Sequence, residues 1–418
     1  MSDPRAAIRG FVAEHRSDMV RFLADLVRTP SDNPPGDCAP HAARAAALLE
    51  GLGFGVERER VPQAAATASS MTSCVNLIVR ERFGAGPVVA CNAHGDVVPP
   101  GAGWSVDPYA AEIREGRMFG RGVAVSKSDF ATYAFALLAL KAAAASGAKL
   151  SGSVELHFTH DEEVGGALGP ARLLAEGLVR PDYAICAGFA HGVTTAHNGC
   201  LHLEVEVRGK SGHAAEPQKG VDALQAATGI LAGLYELRES YSSIRSGVPG
   251  IASPTLVVGV IHGGINTNVV PDRVVFRLDR RIIPEESPGD VEAELTRRIR
   301  ELGARFPGVA TGVRRILLAL PFLPLPGQEK LVAVLRRNAR AVLDEDIPAH
   351  GVPLYTDARH YSAAGVPTVL YGAGPRTLAE ANGHRADENL ALADLYAATE
   401  VVALSLYDLL AGDASRAS

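Results

Sequence analysis

The sequence predicts an α/β protein: a mixed, largely parallel sheet with helices on both faces, interrupted by an inserted ferredoxin-like α+β domain. Three observations carry this. Up to about residue 190, short apolar runs alternate with helical patterns, as in sheets whose strands are joined by crossover helices. Near residue 198 the order changes to β-α-β-β-α-β, the ferredoxin-like order. Pro321, Pro324 and Pro326 then mark a return to the first pattern. The expected boundaries are 1–197 and 319–418 for the larger domain and 198–318 for the insert.

The elements follow in order. Residues 5–28 carry helical apolar spacing and stop at Thr29-Pro30; Ala39–Leu52 is a second amphipathic helix closed by Gly53. Cys74–Val79 and Pro87–Cys91 read as strands. Asp129–Ser146 is an alanine- and leucine-rich helix. Ser153–Thr159 and Tyr183–Ala187 read as strands, with a helix from Pro170 between them. In the insert, Leu201–Arg208 alternates like a half-exposed strand. Helices are expected over 221–240 and 288–303, and strands over 254–262, 273–283 and 311–319. The larger domain resumes with a helix over 328–344, a strand near 367–371 and a last helix from Glu388. The tail Gly412–Ser418 is expected to fray.

Composition bounds the function. The chain has 418 residues, 47% apolar, which suffices for two cores. A net charge of -6 without long charge runs argues against a nucleic-acid partner. The polar start lacks the apolar stretch of a signal peptide, and no run reaches membrane length. Five scattered cysteines without a C-x-x-C pair argue against a disulfide framework and for the cytoplasm.

Chemistry concentrates in Asn92–Asp129. His94 and Asp96 stand in H-x-D spacing at the end of a buried strand, where α/β sheets bind ligands. In that spacing a carboxylate can hold one imidazole nitrogen while the other faces a metal. Asp161-Glu162-Glu163 follows a second buried strand. Adjacent carboxylates there suit acid–base work, although a helix N-terminus favours acids anyway.

These stretches resemble the zinc-dependent family of aminoacylase, carboxypeptidase G, acetylornithine deacetylase and succinyl-diaminopimelate desuccinylase. The matching residues are His94/Asp96/Val97/Val98/Pro99, then Trp104/Asp107/Pro108/Tyr109, then Phe119/Gly120/Arg121/Gly122/Lys127. The resemblance spans nearly the whole chain and implies a zinc-exopeptidase-like domain with an inserted lid or dimerisation domain. It assigns general-base work to Glu162 and metal ligation to His94, Glu163 and His384, the last in Gly383-His384-Arg385-Ala386-Asp387-Glu388. Asp96 supports the catalytic group. In the insert, His213 of Gly209–Pro217 is implied to stabilise an oxyanion, in the family from a partner subunit. Asn268 and Arg281 are implied to grip a substrate carboxylate, for which a guanidinium offers two parallel donors. Thr356-Asp357-Ala358-Arg359 resembles the family's loop beside the pocket.

Two residues depart from the pattern. Val125 stands where the family has a metal-bridging Asp, and Gly188 where it has another acidic ligand. Asp129, His191 and His197 are the nearest candidates to replace them, although Asp129 also reads as a helix cap and lone histidines are more often core or loop residues. A two-metal site shares a bridging carboxylate, and four positive charges facing one ligand carboxylate should be unstable. The expectation is a homodimeric amide hydrolase for small carboxylate-bearing substrates with one divalent ion per chain, zinc by preference, or none. The alternative is a metal-free or non-hydrolytic relative that binds a carboxylated ligand. A third reading pairs Ser126 with Lys127 as a nucleophile.

Overall fold

The structure is a computed structural model that describes residues 3–377 and 379–411; the tail expected to fray lies outside them. It divides into two compact units. The first runs to Thr195 and adds Pro324–His350 and the residues from Thr356; the second comprises Ala196–Leu323 and Gly351–Tyr355. The return of 351–355 to the second unit was not expected from the sequence, although Pro348 and Pro353 flank and interrupt it.

The large sheet contains eight strands: β1 Val56–Arg60, β2 Val75–Arg82, β3 Val88–His94, β4 Ser153–Thr159, β5 Tyr183–Cys186, β6 Val193–His197, β7 Ala349–Val352 and β8 Thr368–Leu370. Their spatial order is β1-β2-β4-β3-β5-β8-β6-β7. The centre, β4-β3-β5-β8, is parallel; β1–β2, β2–β4 and β8–β6 are antiparallel. Central strands read as near-continuous apolar runs because both faces are covered: β3 is buried from Val89 to His94 and β4 from Val154 to Thr159. The helix Lys127–Ala145 is buried nearly all round, as its lack of a polar face requires.

Two expected elements differ. The first helix breaks at His15 into Pro4–Glu14 and Arg16–Val27; the His15 ring stacks on Phe11 and its Nδ1 turns to the Phe11 carbonyl. The last helix begins at Leu392, because Asn389–Ala391 pairs instead with Arg117–Phe119 as a strand.

In the second unit, strands β9 Gly199–Arg208, β10 Thr255–Gly263, β11 Arg273–Ile282 and β12 Ala310–Ala319 form an antiparallel sheet in the order β10-β11-β9-β12. With helices Ala223–Ser240 and Pro288–Gly303 between them, this is the ferredoxin-like arrangement. Leu201, Leu203, Val205 and Val207 share one core with both helices. By strand alternation Cys200, His202, Glu204 and Glu206 lie on the opposite face. Among the described residues no helix is long and apolar enough to cross a membrane, and no disulfide forms.

Candidate active site

The parallel centre of the large sheet ends where His94 closes β3 and Thr159 closes β4, in register with each other. The chain leaving β4 turns through a short helix, Glu162–Val164. That turn brings His94, Glu162 and Glu163 together, with one ligand-type atom from each lying within 4.8 Å of the others. His94 Nε2 stands 3.9 Å from a Glu162 carboxylate oxygen.

Asp96 organises the cluster from beneath. It is fully buried. Its carboxylate accepts hydrogen bonds from Asn33 Nδ2 (3.0 Å) and from the backbone N–H groups of Glu162 (3.2 Å) and Glu163 (3.1 Å). It therefore fixes the turn that presents both glutamates. The H-x-D expectation is met differently in detail: His94 Nδ1 donates to the Asp96 main-chain oxygen at 2.9 Å, and the carboxylate stands farther off at 3.5 Å. Either contact leaves Nε2 facing the glutamates.

Electrostatics follow from burial. Burial pushes Glu162 up to about 7, against the pull of His94 and with the push of Glu163 and Asp96. For His94, burial disfavours the imidazolium, but Glu162, Asp96 and Glu163 outweigh it and hold the group well above its ordinary range. Asp357 is raised to about 7 by burial and then by Glu162, with Arg359 opposing. Arg359 is itself tied to the Thr356 and Gly165 carbonyls.

His384 comes from a loop and approaches Glu163, Nε2 to Oε1, at 3.4 Å. It does not join the mutual cluster of the other three. Its backbone is left-handed, φ 61°, which a non-glycine residue holds only where its surroundings impose it. The anchor is Glu388: its carboxylate pairs with Arg121 at 2.5 Å and accepts from Ala124 and Val125 N–H. Thus Glu388 ties the His384 loop to the Gly120–Val125 turn.

The donor set fits a divalent cation. Glu163 Oε1 is buried and makes no hydrogen bond, which is costly for a carboxylate oxygen, and an imidazole and carboxylates converge beside it. Imidazole nitrogen with carboxylate oxygen is a zinc-type set.

The proposed substitutes for the departing acids are otherwise engaged. Asp129 accepts from Ala373 N–H (2.7 Å) and Gly188 N–H (3.2 Å), and makes no cap at the start of its helix. It clamps two loops together, and burial raises it to about 7. His191 spends both ring nitrogens on Glu345 and Asp394, each at 3.1 Å. His197 lies in the second unit with Nδ1 on the Asn198 carbonyl. Gly188 could not carry a side chain as built, since a Cβ there would sit 2.7 Å from Tyr371 N and 2.8 Å from Leu370 C. The Ser126–Lys127 reading also falls: Ser126 Oγ bonds the His94 main chain on both sides, while Lys127 Nζ donates to the Leu26 and Thr29 carbonyls.

Within the second unit, His213 pairs with Val269 in a short ladder, and Ala214 N–H donates to the Asn268 carbonyl at 3.0 Å. His213 and Asn268 are therefore neighbours. Arg281 lies on β11, with Nε on Asp279 at 3.0 Å and its guanidinium over the Tyr355 ring.

Several contributors carry no motif: Asn33 and the buried pair His41–His160 beneath Gly95, whose ring nitrogens meet at 3.0 Å. They reach the site from other segments.

Comparison with known proteins follows this geometry. A family model described as peptidase family M20/M25/M40 matches residues 90–408. The chain is 30% identical over 330 residues to acetylornithine deacetylase of Proteus mirabilis, covering 78% of this chain and 79% of that protein. It is 29% identical over 397 residues to succinyl-diaminopimelate desuccinylase of Acidiphilium cryptum, covering 92% and 96%. Among solved structures, an M20 family metallo-carboxypeptidase from Sulfolobus solfataricus superposes with a TM-score of 0.75 at 18% identity, over 94% of this chain and 100% of that one. Human carnosine dipeptidase 1 gives 0.73 at 18% identity, over 98% and 99%. At those identities the structures attest the shared fold.

Proposed function

The chain belongs to peptidase family M20/M25/M40 and is a hydrolase of peptidase or deacetylase type, and on that premise we propose that it cleaves an amide bond in a small carboxylate-bearing substrate with one divalent ion, zinc by preference. N-acyl amino acids, dipeptides and amino-acid conjugates form the substrate class. The observation that carries the reading is the convergence of His94, Glu162 and Glu163 at two strand ends, with His384 3.4 Å from the buried Glu163 Oε1.

His94, Glu163 and His384 would hold the ion. When bound, it supplies Lewis-acid polarisation of the amide carbonyl and of the attacking water. The chain's own residues do the rest. Glu162, raised to about 7, is matched to take a proton from water and return it to the leaving amine. Asp96 fixes the glutamate turn and the His94 ring. His213 and Asn268 would offer an imidazole and an amide to the developing oxyanion, and Arg281 and Asn268 would hold the substrate carboxylate. Delivery of His213 to a partner subunit makes a homodimer part of the proposal; light scattering should give twice 43.8 kDa, and a monomer would count against it.

One ion rather than two is supported by Val125 and by the closed space at Gly188. The metal-free alternative draws on the same departures, but leaves the buried Glu163 oxygen with only the His384 ring at 3.4 Å beside it. The names of the relatives, acetylornithine deacetylase and succinyl-diaminopimelate desuccinylase, point to acylated amino acids. The test is release of free amine from a panel of N-acyl amino acids, each beside its carboxamide counterpart. The free acids should be turned over at least about 100-fold faster, since a carboxamide offers the Arg281 guanidinium no charge and only one acceptor oxygen. Equal rates would remove the carboxylate requirement.

A further inference from the structure

A second group of ligand-type side chains lies on the sheet of the insert and shares no ligand with the His94–Glu162–Glu163 cluster. Cys200 and His202 are two apart on β9, so they share a face. Asp279 on β11 stands directly opposite His202 in register, so its side chain joins them. This is the face turned away from the two helices, whose core takes Leu201 and Leu203.

The three groups converge on one point. His202 Nε2 is 3.1 Å from Cys200 Sγ and 2.8 Å from Asp279 Oδ2, and Sγ is 3.4 Å from the same oxygen. A thiol–imidazole–carboxylate relay would need the thiol and the carboxylate on different ring nitrogens. Here both meet Nε2. Three ligand-type atoms that face one another in this way can share one central ion, whereas they do not form a relay.

We propose that Cys200, His202 and Asp279 form a thiolate-containing transition-metal site of zinc type. Sulfur, nitrogen and oxygen from three protein ligands, with a fourth position open, is a set zinc accepts. Tetrahedral zinc separates such atoms by roughly 3.3–3.7 Å, given its bond lengths. The triangle therefore opens by about half an ångström or less as the ion replaces the protons. His202 is only about two-thirds covered and can swing that far. Binding releases the thiol proton, and thiolate plus carboxylate neutralise a divalent charge. Asp279 keeps its other oxygen on Arg281 Nε at 3.0 Å, which orients the ligating oxygen as outer partners of metal ligands do. Rigid strands carry all three residues, so little ordering is needed.

Cobalt(II) distinguishes this site from the His/Glu cluster, because only a thiolate ligand gives a sulfur-to-cobalt charge-transfer band in the near ultraviolet. Cobalt titrated into the metal-depleted full chain should raise that band to saturation by two equivalents, and at one equivalent in the Glu163→Gln variant, whose hydrolytic site no longer competes. Cys200→Ser should abolish it, and His202→Ala should weaken cobalt binding at this site at least about 10-fold, while Glu163→Gln leaves the band intact. The absence of a band, or its survival in Cys200→Ser, overturns the proposal. Cys200 is fully buried; if its replacement prevents folding, Asp279→Asn and His202→Ala decide, and an unchanged band in both refutes the site.

Discussion

Glu162→Gln is expected to lower kcat by about 100- to 10,000-fold, the usual range for losing a positioned general base, with KM changed little. The substitution keeps size and removes only the proton-accepting oxygen. Glu162 is not among the residues expected to hold the ion, so metal content should stay at the wild-type level. Its side chain makes no hydrogen bond that holds the fold among the described contacts; it faces His94 across 3.9 Å. Thermal stability should therefore stay level, or rise slightly as a buried charge is removed. Steady-state kinetics beside elemental analysis checks this. A variant within tenfold of wild type would transfer the base role elsewhere, first to Asp357, which is also raised to about 7.

Asp96→Ala carries the second large effect, and it should divide between activity and stability. The carboxylate is fully buried and serves three donors, Asn33 Nδ2 and the N–H groups of Glu162 and Glu163. Removing it strands donors at about 1–3 kcal/mol each when buried. A loss of about 3–5 kcal/mol of unfolding free energy is expected, allowing for water entering the space. The turn carrying the glutamates and the orientation of His94 also lose their common anchor, so metal affinity should fall about 10- to 100-fold. Denaturant unfolding and metal competition measure the two parts separately. Unchanged metal affinity would show that Asp96 supports the fold alone.

The contrast between these two residues shows what the sequence could reveal. His94, Asp96, Glu162 and Glu163 were legible because each sits within a few residues of a strand end, and strand ends were marked by short apolar runs. The insert was legible because the order of its strands and helices changes abruptly at 198. Asn33 was not legible as a contributor, and Arg121 and Glu388 were legible as motif residues but not as a pair, since their partners lie far away in the chain. Asp129 was misread as a cap or spare ligand for the same reason: its partners, Gly188 and Ala373, arrive from two distant loops. The margins of the large sheet escaped because β1, β6 and β7 are short and carry weak patterns. Gly188 stood out only as a missing acid; that Tyr371 and Leu370 close the space around it is a property of packing.

The central claim is a single ion held by His94, Glu163 and His384 beside Glu162, and metal stoichiometry tests it most directly. The chain should be measured as the Cys200→Ser variant, so that any ion on the insert is not counted. Elemental analysis after exhaustive dialysis should give one equivalent of zinc per chain, falling to near zero on adding Glu163→Gln, with amide hydrolysis lost in parallel. Two equivalents would show that another group replaces the acids absent at Val125 and Gly188. Zero equivalents, with hydrolysis indifferent to chelators, would contradict the metal-assisted mechanism.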